Sequence, residues 1–293
     1  MASELDWKID GPHWPNSAHS RFVDAGGLRW HVQVMGAGPI LLLVHGTGAS
    51  THSWRGVIAE LASRFTIVAP DLPGHGFTER PANDRLTLPG MAQGLSALMT
   101  TLNLEPSIAV GHSAGAAVIM RAARDGGIHP RLIISLNGAL LPFRGVAGQI
   151  FKPLAKLLAL QPFLPHFFAW RAASSSAVAR LLKGTGSTPS PEDIALYARL
   201  FKSPSHVGAT LAMMANWDLV PLLRDLPALD TRIILVTGDR DLAIPSSDAV
   251  AVAKHLPNAE IVDLPGLGHL AHEENPILIS RLIEQRAALA KVI

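Results

Sequence analysis

Apolar residues along the chain fall into two signatures, short solid runs and longer stretches with helical spacing, and the two alternate. The solid runs are P-I-L-L-L-V (39–44), F-T-I-V-A (65–69), S-I-A-V (107–110), L-I-I-S-L (132–136), R-I-I-L-V-T (232–237) and A-E-I-V-D-L (259–264). A run with little polar alternation reads as a strand covered on both faces. Helical spacing marks residues 53–62, 88–102, 114–123 and 275–285. R-F-V-D and L-R-W-H-V-Q-V flank A-G-G, which predicts a β-hairpin across Gly26-Gly27. Residues 1–18 are polar, carry Pro12, Pro15 and Asn16, and read as an extended arm. Buried strands alternating with helices predict an α/β fold, a mostly parallel central sheet flanked by helices. The alternation breaks once. Between about 141 and 215 there are helical patterns and no convincing strand, divided by Pro153, Pro162, Pro165, Pro189 and Pro191. The expectation is a helical cap inserted at 141–215, with 1–140 and 216–293 forming the core.

Composition narrows the class. A chain of 293 residues, 48% apolar and 16% charged, can bury a large core and is not globally disordered. The sequence pI of about 9.2 looks basic, yet the net charge is only +2. With no cysteine and one tyrosine, almost nothing titrates between histidine and lysine, so a small positive excess persists to high pH. No Lys/Arg cluster accompanies it, so no nucleic-acid partner is expected. The absence of cysteine excludes disulfides, thiolate nucleophiles and cysteine-ligated zinc, and fits a cytoplasmic setting. The first ten residues have no apolar stretch typical of a signal peptide. No uncharged apolar run reaches about 18 residues, so no transmembrane helix is expected.

The chemistry centres on G-H-S-A-G, 111–115, which fits G-x-S-x-G between a predicted strand and a predicted helix. A sharp strand-to-helix turn exposes the serine Oγ and needs small neighbours, so Ser113 is the candidate nucleophile and Gly111 and Gly115 give clearance. Serine needs a base, and the base an orienting acid. I-L-V-T-G-D-R-D-L-A-I-P places Asp239 and Asp241 beyond one strand, and D-L-P-G-L-G-H-L-A-H places His269 beyond the last. Ligands in open α/β sheets bind at the carboxyl ends of strands, where these groups should meet. Asp241, deeper in its loop, is preferred as the acid, with Asp239 bracing the turn. His269, directly after Gly268, is preferred as the base, with His272 a polar surface residue at the start of the final helix. Backbone N–H groups of Thr47, in H-G-T-G, and Ala114 are the candidate oxyanion donors. His45, His75 and His112 sit beside glycines at strand ends. His45 and His112 are candidate substrate contacts, while Asp71 and His75 in P-D-L-P-G-H-G are expected to brace a loop. No H-E-x-x-H is present, and neither a metal nor a cofactor is expected.

Taken together, H-G-T-G, P-D-L-P-G-H-G, G-H-S-A-G, G-D-R-D-L-A-I-P and G-L-G-H resemble the α/β-hydrolase superfamily over about residues 20–288. That resemblance implies Ser113, Asp241 and His269 as a triad, Thr47 and Ala114 as the oxyanion hole, and a helical cap at about 141–215. A haloalkane dehalogenase or epoxide hydrolase would carry aspartate at position 113, and the epoxide hydrolases two cap tyrosines where this chain has only Tyr197. W-P-N, S-R-F-V-D-A-G-G-L-R-W-H-V-Q, G-T-G-A-S-T-H-S-W-R and P-D-L-P-G-H-G-F-T further resemble the magnesium-chelatase accessory family of bacteriochlorophyll synthesis. This narrower likeness implies a role around magnesium insertion into protoporphyrin, or on an ester-bearing tetrapyrrole. Two alternatives stay open: a non-catalytic tetrapyrrole-binding accessory protein of magnesium chelatase, and a general carboxylesterase or lipase. The apolar stretch 151–170, with Lys152 and Lys156 on one helical face, reads as a packed cap helix. It also suits a lid over an apolar substrate, or a face in peripheral contact with the photosynthetic membrane. Trp170 and Trp217 are candidate walls of the substrate site.

Overall fold

All six apolar runs, together with the hairpin, enter one eight-stranded sheet in the computed structural model, which describes residues 3–142 and 175–293. The strands are β1 (Ser20–Ala25), β2 (Leu28–Met35), β3 (Ile40–Val44), β4 (Thr66–Pro70), β5 (Ile108–His112), β6 (Leu132–Leu136), β7 (Arg232–Gly238) and β8 (Ala259–Leu264). Their order across the sheet is β1-β2-β4-β3-β5-β6-β7-β8. The hairpin β1–β2 is antiparallel and joins β4 antiparallel; every other pairing is parallel. β3 shows why its run lacks polar positions. Leu42 and Val44 pack into the core on one face, Leu41 and Leu43 into the core on the other.

Helices cover both faces. Before the sheet comes α1 (Trp7–Asp10); then follow α2 (Arg55–Leu61), α3 (Leu88–Leu102) and α4 (Ala114–Arg124). Leu95 and Met99 of α3 and Ile119 and Met120 of α4 fill one core, and Ile58 and Leu61 of α2 the other. Between β6 and β7 the chain forms α5 (Ser175–Lys183), α6 (Pro191–Phe201), α7 (Pro204–Ala215) and α8 (Val220–Asp225). A capping box of Ser190 and Asp193 starts α6. After β7 come α9 (Ser246–Ala253), α10 (Ala271–Glu274) and α11 (Pro276–Leu289), the last lining the second core through Ile279 and Ile283. The stretch 151–170, with Lys152, Lys156 and Trp170, lies outside the described residues.

The arm departs from the expected extended form. It winds into α1 and two short 3-10 turns, 11–13 and 17–19. Asp6 caps α1 by accepting Lys8 N–H at 2.9 Å. Asp10 pairs with Arg199 of α6, and Glu4 accepts from Ser203 Oγ. Polar residues of the arm are therefore spent fastening it to α6 and α7. Among the described residues, no helix is long and apolar enough to cross a membrane.

Candidate active site

β5 ends at His112 and α4 starts at Ala114, so one residue must turn the chain. Ser113 does so at φ 51° and ψ −118°. Such backbone costs a non-glycine residue roughly 1–3 kcal/mol and persists only where the surroundings enforce it. Here they do. Ser113 N–H donates to Leu136 O at 3.0 Å, and its carbonyl accepts from Ala116 and Ala139 N–H. A Cβ at Gly115 would lie 2.3 Å from Val44 O, and one at Gly111 2.5 Å from Ala116 N. The flanking glycines are thus held against backbone that has nowhere to go.

The loops after β7 and β8 bring Asp241 to His269, with Oδ2 and Nδ1 2.8 Å apart. Asp241 Oδ1 accepts the Ala243 and Ile244 N–H groups, each at 2.8 Å, and Oδ2 also accepts from Asn137 Nδ2 at 2.8 Å. Burial opposes ionisation of this carboxyl. The hydrogen bond and charge of His269, the Ile244 amide and the Asn137 amide outweigh it, so the group sits below its ordinary value. An ionised Asp241 fixes the proton of a neutral His269 on Nδ1 and leaves Nε2 as the basic nitrogen. Asp239 is exposed and instead accepts Gly266 N–H at 2.7 Å, bracing the neighbouring turn. Asn137 is a site residue that sequence reasoning missed. It is buried at φ 47°, just past β6, and the available signal was the turn-forming dipeptide Asn137-Gly138.

The loop after β3 closes on the same point. A Cβ at Gly46 would lie 2.9 Å from Ser113 Cβ. Thr47, Ser113, Ala114 and His269 all line one cavity, and the Thr47 hydroxyl is directed to Met213 Sδ. His45 stands behind the loop and does not line the cavity. Its Nδ1–H donates to Gly46 O at 2.8 Å and its Nε2 accepts Leu72 N–H at 2.9 Å, so both ring nitrogens serve backbone. His112 does line the cavity. Burial, then the charge of His269, pushes its pKa down to about 3, and its Nε2–H donates to His269 O at 2.9 Å. It therefore ties the serine turn to the histidine loop as a neutral ring. Asp71 braces the P-D-L-P-G-H-G loop by accepting from Thr51 N–H, Phe77 N–H and His31 Nδ1. His272 overturns the expectation of a surface position. In the short α10 it turns inward and packs against Trp54 and His112, with ring centroids 4.4 and 4.5 Å away.

The cavity above Ser113 holds about 360 Å³. Leu182, Tyr197, Met214 and Trp217 from the segment between β6 and β7 form much of its wall, and no described lining residue is Lys, Arg, Asp or Glu. Tyr197 turns its hydroxyl out of the apolar lining and donates to buried Glu273 Oε1 at 2.8 Å. A wider groove of about 600 Å³ beside the arm, lined by Glu4, Lys8, Arg29 and Glu79 among others, contains none of the candidate residues. Size alone would favour the groove; Ser113 and the Asp241-held His269, which both line the smaller cavity, favour the latter as the candidate site. A strained serine sharing a cavity with a carboxylate-held imidazole supplies the residue types that nucleophilic acyl transfer requires.

Residues 41–281 match the model of the alpha/beta hydrolase family. The magnesium-chelatase 30 kDa subunit of Rhodobacter capsulatus is 38% identical over 263 residues, covering 89% of this chain and 92% of that protein. The 2-(acetamidomethylene)succinate hydrolase of Mesorhizobium japonicum is 28% identical over 282 residues, covering 90% and 93%. Among solved structures, the epoxide hydrolase CorEH without ligand superposes with a TM-score of 0.80 at 23% identity, covering 92% and 98%. At that identity the likeness speaks for the fold alone.

Proposed function

The chain belongs to the alpha/beta hydrolase family, and from that premise we propose that it is a serine hydrolase acting on an uncharged, apolar ester. Ser113 Oγ attacks the carbonyl carbon while His269 Nε2 takes its proton. Asp241 holds the ring and stabilises the imidazolium. The Thr47 and Ala114 N–H groups receive the oxyanion. The tetrahedral intermediate expels the alcohol, which takes the proton from His269. A water deprotonated by His269 then attacks the acyl-serine, and as the acid leaves His269 returns that proton to Ser113 Oγ. Of the expected cap 141–215, the described residues 175–215 supply the wall that selects substrate. The carrying observation is that His269, held by Asp241 at 2.8 Å, lines the same apolar cavity as a serine held at φ 51°. Absence of described charged residues from the cavity wall supports an uncharged ligand, because a buried unpaired charge would be costly.

The relation to a magnesium-chelatase subunit supports a place in bacteriochlorophyll synthesis, at magnesium insertion into protoporphyrin or on an ester-bearing tetrapyrrole, with chelatase subunits as partners. The same relation favours a second reading, because that relative is named as a subunit rather than a hydrolase: a tetrapyrrole-binding accessory protein whose triad is unused. Turnover of p-nitrophenyl butyrate by the purified chain and by Ser113→Ala separates the two. The hydrolase reading expects Ser113→Ala to lose at least about 10³-fold in kcat. No turnover by the folded wild type, with a protoporphyrin spectral shift equal in both proteins, would establish the accessory reading. Ester turnover without any protoporphyrin shift would leave a general carboxylesterase.

A further inference from the structure

The loops carrying Asp241 and His269 are held from two sides. Asn137 holds them from the sheet. From the other side, the five-residue stretch G-T-G-S-T, 184–188, between α5 and α6, is threaded against both. Thr185 O accepts the N–H of Leu242, the residue after Asp241, at 3.0 Å. Gly186 lies so close to this loop that a Cβ there would fall 1.8 Å from Arg240 O. Gly268 in turn packs on Gly186, where a Cβ would lie 2.5 Å from the carbonyl. Ser187 is buried, and its Oγ accepts the N–H of Leu270, the residue after His269, at 2.9 Å. That Oγ also lies 3.0 Å from Thr185 Oγ1. Thr188 donates both its N–H and its hydroxyl to Glu274 Oε2, at 3.1 and 2.9 Å. Oε1 of the same carboxylate accepts the N–H of Gly268, the residue before His269, at 2.9 Å.

We propose that residues 185–188, centred on Ser187, are positioning residues that set the geometry of Asp241 and His269, so that the segment between β6 and β7 completes the base as well as walling the cavity. This rests on the serine-hydrolase reading. Leu242, Gly268 and Leu270 are each bonded in the chain to a member of the pair, and each is gripped from this stretch directly or through Glu274. A catalytic base must be held to a fraction of an ångström, and supporting hydrogen bonds supply that restraint. Displacements of about 1 Å cost on the order of 100-fold in rate. Ordinary loop packing would affect melting without separating kcat from KM.

The test compares wild type, Ser187→Ala and Ser187→Thr by three readouts: melting temperature, kcat and KM for p-nitrophenyl acetate, and the proton resonance of the hydrogen-bonded His269 Nδ1–H. The acetate probe is small enough to make little use of the cavity wall. Ser187→Ala is expected to stay folded, keep KM within about two-fold, lose on the order of 10- to 100-fold in kcat, and show a broadened Nδ1–H resonance. Ser187→Thr, which keeps the acceptor, is expected to recover both. Unchanged kcat and an unchanged resonance in folded Ser187→Ala would overturn the proposal. Glu274→Gln, which puts an amide N–H₂ against donor groups, is read the same way should Ser187→Ala fail to fold. If wild type shows no turnover, the hydrolase reading fails by itself, and the resonance still decides whether this stretch positions the imidazole.

Discussion

Glu273 offers a sharp physical prediction, because it is a carboxyl buried four residues past His269. Burial is the largest influence and pushes its pKa up; Asp193 and Glu274 add to that, while the Tyr197 hydroxyl and Arg55 pull it back, leaving it at about 8. His272, 3.8 Å away, is held well below its ordinary value chiefly by burial, so at neutral pH both groups of this pair are uncharged. The folded chain therefore keeps a proton on Glu273 that the unfolded chain, titrating near 4.5, has lost. The sign follows. The contribution is fully present below about pH 4.5 and is lost as pH rises through about 8, at up to about 1.4 kcal/mol per pH unit. From about pH 5.5 to about pH 7.5 the loss is on the order of 2–3 kcal/mol. Glu273→Gln keeps the acceptor for Tyr197 and cannot ionise, so it lacks this slope. With an unfolding entropy of about 2.1 cal/mol/K per residue, 293 residues give about 600 cal/mol/K, and a loss on the order of 2–3 kcal/mol is worth about 4 °C. Melting curves of both proteins across this range should show the variant gaining about 4 °C on wild type as pH rises. A melting difference constant to within about 1 °C would refute the neutral, buried Glu273.

Other consequences are equally direct. Asn137→Ala removes a charge-assisted hydrogen bond worth roughly 1.5–3 kcal/mol, so kcat for a small aryl ester should fall about 10- to 100-fold with little change in KM. Trp217→Ala enlarges the cavity, so kcat/KM measured over an acyl-chain series should shift toward longer esters. Arg199→Ala frees Asp10 and the carbonyls of Ser3 and Glu4, so limited trypsin digestion should newly cleave after Lys8. A Cβ at Gly115 meets the backbone carbonyl of Val44, so Gly115→Ala should lower the melting temperature by several degrees or prevent folding, as thermal scanning will show.

The parts legible in sequence are those that local pattern determines. Solid apolar runs gave the strands because a sheet covered on both faces has no polar side to advertise. G-H-S-A-G was readable because its glycines answer clashes within a few residues and against β3. The separation of Asp239 from Asp241 was visible as depth within one loop. What stayed hidden depends on contacts distant in the chain. Asn137 reaches Asp241 across 104 positions, and nothing local distinguishes it from a turn residue. His272 sits in a four-residue helix too short to show a face, so its inward turn is set by Trp54 and His112. The arm read as extended because Asp10 and Glu4 find their partners 189 and 199 residues away. G-T-G-S-T carries no local mark of its role, because Gly186 is pressed against Arg240 and Gly268, which are distant in the chain.

Intact mass after treatment with a serine-directed fluorophosphonate decides whether Ser113 is a nucleophile activated by His269. A live nucleophile gives a single adduct per chain, mapped to Ser113 and absent from both Ser113→Ala and His269→Ala. A folded wild-type chain that stays unmodified, or an adduct that persists in Ser113→Ala, would contradict that role.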